Sequence, residues 1–471
     1  MKNDLIKKFA LNLTYAFTAQ LLSLMLSIIM SLMVPKVLGV EQFAYWQLFI
    51  FYSGYVGLFH LGLPDGIYLR YGGTELNKMD KSLLGSQLKV MVLLHAFMSA
   101  CGIVLLAVLP MESDRKFVWT LTAIYMVITN AFWYLGFVYQ AANLTKIYSS
   151  ATIICKAFFT VCVLVLMVIK PDNFRIYIYL YVVAQGLALL YCICKGKVFI
   201  FSKQIPFLKT LSEMLHNVKI GINLTLANLA SSLILGVGRA MIDATQGIST
   251  FGIVSLAISL TNFFLQFISQ ISMVMFPMLR QFDNVKMKQV FLAVRSGISY
   301  LLCAILAFYV PIKYILSLWL PQYQLSLEYL AILLPLCIFD GKMQLLYNTY
   351  LKVLRKEKIL LFINLISVGI SAALCAVGAY LFNNMIAVLI FMVVAIAVRS
   401  LITNLYLSKV MNVPNEVNVI WECLLSLTFV FSNLKFSMSI AFCIYLIAFL
   451  MYCFFTKNIL KKCFLIIKSN F

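Results

Sequence analysis

Residues 385–408 read MIAVLIFMVVAIAVRSLITNLYLS, 24 residues with a single charge at Arg399. At about 1.5 Å per residue such a helix reaches roughly 36 Å, longer than the ~30 Å hydrocarbon core of a bilayer. The run therefore reads as a transmembrane helix, and the rest of the chain repeats the pattern. Apolar runs of comparable length fall at 10–34, 44–64, 88–110, 117–140, 148–169, 176–194, 220–244, 249–276, 290–311, 327–350, 359–381, 418–434 and 436–456. These spans absorb most of the 471 residues, of which 63% are hydrophobic and 11% charged, at a mean hydropathy of +0.97. A soluble domain carries about 25% charged residues. The expected fold is an all-α polytopic membrane protein of about 14 transmembrane helices, with no room for a sizeable extramembrane catalytic domain.

The net charge is +21, from 37 Lys and Arg against 16 Asp and Glu. In a soluble chain this would suggest nucleic acid; here its placement gives the better reading. With a cytoplasmic N-terminus the inner loops receive Lys2, Lys7, Lys8, Arg70, Lys78, Lys81, Lys195, Lys197, Lys203, Lys209, Lys352, Arg355, Lys356 and the basic tail from Lys457. The outer loops receive only Lys36, Arg115, Lys116, Lys170, Arg175, Lys313 and Lys435, nearly neutralised by Glu41, Glu112, Asp114, Asp172 and Glu328. That is the positive-inside bias, and it predicts both termini in the cytoplasm and no nucleic-acid partner. Ala10–Val34 is too long for the apolar core of a cleaved signal and reads as the first span. The 12 Cys lie almost entirely within spans and read as small apolar residues, with neither a disulfide framework nor a metal site.

The longest polar stretch, Lys195–Lys219, divides the chain. The expected organisation is an N-terminal lobe of six spans over 1–194, a cytoplasmic linker over 195–219, a second six-span lobe over 220–410, and a final helix pair with a basic tail over 411–471. Two lobes of one orientation suggest a parallel repeat about an axis along the membrane normal. Gly39-Val40-Glu41-Gln42-Phe43 before the second span is echoed by Gly247-Ile248-Ser249-Thr250-Phe251 before the eighth, and Lys146-Ile147 by Lys358-Ile359.

Val34-Pro35-Lys36-Val37-Leu38-Gly39 with Phe43-Ala44-Tyr45-Trp46, then Leu61-Gly62-Leu63-Pro64, the corner Gly247–Gly252, Phe276-Pro277 and Trp319-Leu320-Pro321-Gln322-Tyr323 carry a family likeness. Together they resemble the O-antigen and capsule exporter branch of the multidrug/oligosaccharidyl-lipid/polysaccharide exporter superfamily. The resemblance runs over essentially the whole chain. It implies two lobes that alternate between inward-open and outward-open forms in the bacterial inner membrane, carrying an undecaprenyl-diphosphate-linked oligosaccharide to the periplasmic face. It also implies membrane lipids as surroundings, and the polymerase and chain-length machinery of the same pathway as partners. Relatives that flip peptidoglycan precursors would be expected to carry arginines deep in the first two spans; these spans have none, which argues against that substrate.

Ionisable residues in spans are costly and default to functional candidates. Arg239 and Asp243 stand four residues apart on one helix face, where a guanidinium could fork onto a diphosphate; an interfacial ion pair is the alternative. Related exporters often have an acid immediately before this arginine, where the chain has Gly238. Lys342 and Arg399 fall at similar depth, with Asp340 close enough to pair with Arg399, so a phosphate site and a structural ion pair both remain open. Pro335 and Gly341 should loosen the helix there. Asn262, Gln266 and Gln270, with Ser259, recur along one face and could exchange hydrogen bonds with sugar hydroxyls; Gln20 begins a similar row with Ser23, Ser27 and Ser31. Candidate substrate-binding residues are thus Arg239, Lys342, Arg399, Asn262, Gln266, Gln270 and Gln20. Asp243, Asp340 and His60 are the candidates for ion coupling, His60 and His95 being the intramembrane histidines.

No G-x-x-x-x-G-K-[ST] pattern occurs, no cofactor is implied, and the expectation is a transporter, not an enzyme. A multidrug or cation antiporter of the same superfamily is the nearest alternative, weakened by the lack of an acid inside the first six spans. An O-antigen polymerase or ligase would be expected to carry Arg or His in a large outer loop, and the longest outer segment, Pro311–Ser326, has neither.

Overall fold

Helix follows helix through the described residues, because runs of Leu, Ile, Val, Phe and Ala in hydrocarbon must satisfy every peptide group within the segment. A computed structural model describes residues 18, 20–170, 172–279, 282–414 and 418–457; within these, the side chains of 267, 270–278 and 284 lie outside the description. Among the described residues there is no strand. Among these residues ten helices are long and apolar enough to cross a membrane, or eleven with one bent pair, making this a multi-pass membrane protein.

The helices are α1 (Gln20–Val37), α2 (Val40–Ser53), α3 (Leu63–Tyr71), α4 (Lys81–Val108), α5 (Ser113–Ala141), α6 (Thr145–Ile169), α7 (Phe174–Lys195) and α8 (Phe207–Leu279). There follow α9 (Asn284–Ala307), α10 (Tyr309–Trp319), α11 (Gln324–Leu333), α12 (Leu336–Lys342), α13 (Asn348–Val353), α14 (Glu357–Ala376), α15 (Met385–Met411), α16 (Asn418–Lys435) and α17 (Met438–Phe455). Contacts divide the chain into two compact units, Met1–Leu229 and Ala230–Phe471, so the boundary falls inside α8. At 73 residues α8 would be roughly 110 Å long if straight. It is broken at Gly247, whose φ of 82° and ψ of 175° suit a residue without a Cβ.

In unit 1, α5 is the central helix, packed against α3, α4, α6 and α7. Trp46, Phe49, Tyr125, Phe159 and Tyr181 interlock edge to face and stacked, with ring centroids 5.0 to 6.0 Å apart. Bilayer tails are as apolar as these rings, so their close packing, more than escape from water, holds the unit together. In unit 2, α15 packs against α11, α12 and α14, while α16 and α17 pair with each other and contact α9.

The run 44–64, expected as one span, is broken. The α2 helix ends at Ser53 before Gly54; a 3₁₀ turn covers Val56–His60; Leu61 and Gly62 are left-handed at φ 51° and 82°; and Pro64 opens α3. Two left-handed residues followed by proline cannot continue an α-helix. Hydropathy registers composition, whereas the break is written in Gly-Leu-Pro at positions 62–64.

Two turns far apart in sequence share one geometry. Asn143 and Arg355 are left-handed at φ 57° and 53°, and the next residues, Leu144 and Lys356, cap α6 and α14 at φ −100°, ψ 37° and φ −108°, ψ 37°. Their backbone hydrogen bonds match, Leu144 N to Tyr139 O as Lys356 N to Leu351 O, both 2.8 Å. Asn173 and Asn384 then cap α7 and α15 with their side chains. Gly39 and Gly247 differ in backbone conformation, at φ −61° and 82°, but Phe43 and Phe251 are fully buried behind them alike.

Candidate functional site

In unit 1 the polar residues converge on the broken helix. Each backbone group freed by the break needs a partner in hydrocarbon. Asn130 Nδ2 donates to the Val56 carbonyl at 3.1 Å, the Gly62 amide donates to His60 Nδ1 at 3.1 Å, and His95 Nε2 lies 3.1 Å from the Phe59 carbonyl. His60 also packs edge-on to Trp133. Both histidines therefore hold the break together, and His60 could serve ion coupling only by giving up the Gly62 amide.

Beyond the break, α3 lies close against the first part of α8. A Cβ at Gly66 would collide with the Asn217 carbonyl, and one at Gly221 with the Gly62 carbonyl. This proximity brings the Thr225 hydroxyl to donate to Asp65 Oδ2 at 2.6 Å, with Asp65 only 8% exposed. Among the described residues Asp65 forms no ion pair; its partner is a hydroxyl. At the rim of this contact Arg70 donates to Glu213 Oε2 at 2.7 Å and to Asn217 Oδ1 at 3.1 Å. Asp65 falls one residue past the expected span 44–64, outside the apolar run that marks intramembrane charges; its signal in the sequence is Pro64-Asp65-Gly66 at a helix start.

In unit 2 the site is ionic. Arg399 Nη1 donates to Asp340 Oδ1 at 3.2 Å, and Gln344 Nε2 donates to Asp340 Oδ2 at 2.7 Å. Lys342 forms an ion pair with Glu422 of α16, both side chains at most 2% exposed. The helix that carries Asp340 and Lys342 is bent by 51° between Pro321–Leu333 and Leu336–Val353, and passes into a π turn at Met343–Tyr347 directly after Lys342. Proline removes one amide and the π turn shifts the hydrogen-bond ladder, so both irregularities flank the charges. Arg295 is 3% exposed and spends its donors on Asn404 Oδ1 at 3.3 Å, Ser408 Oγ at 2.9 Å and the Pro414 carbonyl at 2.9 Å. Lys342 and Arg399, candidates for phosphate binding, are thus engaged by acids inside the unit. Glu422 was missed although it lies inside the run 418–434: an acid there requires a cation, and Lys342 was in need of a partner.

Arg239 donates from Nη2 to Ser255 Oγ at 2.8 Å, with its guanidinium 5.0 Å from the Phe251 ring centre. Asp243 stands one turn further along α8. The neighbouring Gly238 has Met392 and Cys375 against it, so that a side chain there would require the flexible Met392 to shift. On the second arm of α8, Asn262 is exposed and Ser259 and Gln266 half-buried, while Val254, Ala257, Leu260, Thr261 and Leu265 are buried. The carboxamide row therefore lies on the face turned away from the core of unit 2; the side chain of Gln270 lies outside the described residues. Gln20 on α1 is half-buried, and Asn12 lies outside the described residues. Among the described residues no group of His, Cys, Asp and Glu could hold a metal ion.

No family model matches the sequence. No curated protein matches it either. Among solved structures, a multidrug resistance MATE family transporter of the MOP superfamily, in an inward-facing conformation, is similar with a TM-score of 0.62 and 11% identity, covering 85% of this chain and 97% of its own. The lipid II flippase MurJ, inward closed, gives 0.59 and 13% identity over 95% of this chain and 99% of its own. A MOP superfamily transporter from Pyrococcus furiosus gives 0.52 and 10% identity over 86% and 95%. The chain thus has the fold of MOP superfamily transporters.

Proposed function

We propose that this chain is a flippase carrying undecaprenyl-diphosphate-linked oligosaccharide repeat units, of O-antigen or capsule, from the cytoplasmic to the periplasmic face of the bacterial inner membrane. It works by alternating access, has both termini in the cytoplasm, passes its product to the polymerase and chain-length machinery of the same pathway, and is not an enzyme. The observation that carries the reading is the uncharged carboxamide row at Asn262 and Gln266, exposed and half-buried on the face of α8 turned away from the core of its unit and suited to sugar hydroxyls. Two further observations support it. The likeness to the lipid II flippase extends over 95% of the chain against 85% for the multidrug transporter, although the latter has the higher TM-score, 0.62 against 0.59. The matched turns at Asn143 and Arg355 fit two lobes built on one repeat. Among the described residues ten helices, or eleven with the bent pair, are long and apolar enough to span, and the fourteen-helix arrangement belongs to this proposal, with α2–α3 and α16 taken as further spans and α8 as two.

One observation favours a second reading. A buried carboxyl, Asp65, stands in the first unit, where a cation antiporter needs an acid. The deciding experiment scores the sidedness of lipid-linked oligosaccharide in cells lacking the chain, using an outer-face lectin. Single repeat units that accumulate inside, and reappear outside with the intact chain, carry the flippase reading. Units that appear outside but never lengthen point to a polymerase. Normal polysaccharide together with lost dye efflux points to the antiporter.

A further inference from the structure

The segment between α7 and α8, expected as a polar linker, has a composition of its own. Lys195, Lys197, Lys203 and Lys209 alternate with the exposed apolar residues Val198, Phe201, Phe207 and Leu208, and no acid occurs before Glu213. Exposed aromatic and aliphatic side chains interleaved with lysine belong to a segment lying in the headgroup layer, its apolar side sunk into the acyl boundary. The segment is fastened to α4. Gly85 presses on the Phe199 carbonyl so closely that a Cβ would overlap it, and the Ile205 amide donates to Ser86 Oγ at 3.1 Å, while the Ser202 hydroxyl, within reach of the Lys81 carbonyl at 3.2 Å, has the Phe199 carbonyl at 2.7 Å.

Fastened there, the segment closes one end of a groove of about 420 Å³ between α4, α5 and α7. Its walls are apolar side chains such as Val92, Val127, Ile128 and Ile193, and its two polar members are Lys89 and Gln204. Such a volume is that of a small-ligand site. An apolar trough with one ammonium, bounded by a lysine-rich interfacial strap, matches an acyl chain joined to an anionic headgroup. Basic pockets between helices on the cytoplasmic side hold such lipids.

We propose that this groove binds one anionic diacyl phospholipid of the cytoplasmic leaflet, its acyl chain between Val92, Val127 and Ile193 and its phosphate at Lys89. The site is independent of what the chain transports. The test is native mass spectrometry of the purified full-length chain, delipidated and then titrated with phosphatidylglycerol or phosphatidylcholine. One phosphatidylglycerol per chain is expected to persist, held about fivefold more tightly than phosphatidylcholine, the factor given by one basic residue near the surface. Lys89→Gln should abolish that preference while an acyl chain is still held. Val127→Trp, on a half-exposed wall, should remove the bound lipid; Ile128→Trp serves where the first variant fails to elute as a folded monodisperse species. Equal retention of the two lipids by the unaltered chain, an undiminished preference in Lys89→Gln, or unchanged stoichiometry in the tryptophan variants would overturn the proposal. Recovery of a prenyl-linked glycan in place of phosphatidylglycerol would overturn it as well.

Discussion

The two units bury polarity by different means. In unit 2 the buried charged residues among those described are Arg295, Lys342, Arg399 and Glu422, and each ion is held by a neighbouring helix. In unit 1 the buried polar residues are neutral, among them Gln47, His60, Gln87, His95, Thr129, Asn130 and Gln185, with Asp65 as the sole acid in that class among the described residues. Unit 1 breaks its backbone and patches the break with amides and imidazoles; unit 2 bends its backbone and pins the bend with ion pairs. Neutral partners tolerate being exchanged for one another at about 1 kcal/mol apiece, whereas a buried ion without its counter-ion is far more costly. The same kind of substitution should therefore have very different consequences in the two units.

The largest effect is expected at the Lys342–Glu422 pair. Lys342→Met leaves Glu422 buried without its cation and should cost about 3–5 kcal/mol. Lys342→Met with Glu422→Leu removes both charges and should recover most of that loss, because the desolvation of both ions is relieved together. Unfolding in detergent, followed by helix content, measures both. A double variant as unstable as the single one would show that the pair is not what pins α12 to α16, and the contrast between the units would fail at its strongest point.

Next comes the close approach of α3 and α8. Gly66→Ala places a methyl where the Asn217 carbonyl lies, and forcing the helices apart should cost about 1–3 kcal/mol. Gly186→Ala, on α7 with open space at the Cβ position, is the matched control and should be neutral or slightly stabilising. Equal behaviour of the two variants would mean that α3 is not seated on α8 as described.

How far the sequence revealed this arrangement depends on which physical signal each residue leaves. Long apolar runs announce spans, and counting along them placed Asp340 within reach of Arg399, since rise per residue is nearly constant in a helix. Pro335 likewise announced the bend. The break at 54–63 was hidden because Gly and Leu count as apolar while their left-handed φ values are invisible to hydropathy. Asp65 lay just outside a boundary that hydropathy places only approximately. Lys342 and Glu422 are 80 residues apart in the chain, and their pairing depends on how helices assemble, which composition does not encode. The carboxamide row was legible as a face of α8, but which way that face turns follows from the packing of Val254, Leu260 and Leu265.

A third comparison makes one chemical change in both units. Asp340→Asn removes the charge facing Arg399 and should cost about 2–3 kcal/mol. Asp65→Asn keeps an acceptor for the Thr225 hydroxyl and should cost less than about 1 kcal/mol. Should Asp65→Asn abolish transport while leaving the unfolding midpoint in place, the acid has a functional task separate from holding α3, and the antiporter reading gains.

The smallest effect is expected at Arg70, and it tests whether the charge of unit 1 sits where water can reach it. The Arg70–Glu213 pair has side chains 31% and 32% exposed, so solvent screens it and Arg70→Ala should cost at most about 1 kcal/mol. Raising the salt to about 1 M shrinks the Debye length to roughly 3 Å, and most of even that difference should vanish. The Lys342–Glu422 pair, shut away from ions, should keep its full dependence on both partners in the same salt. A salt-insensitive Arg70→Ala loss would place Arg70 in a dry environment, and unit 1 would then hold a shielded ion pair of its own, removing the distinction between a neutral first unit and an ion-paired second.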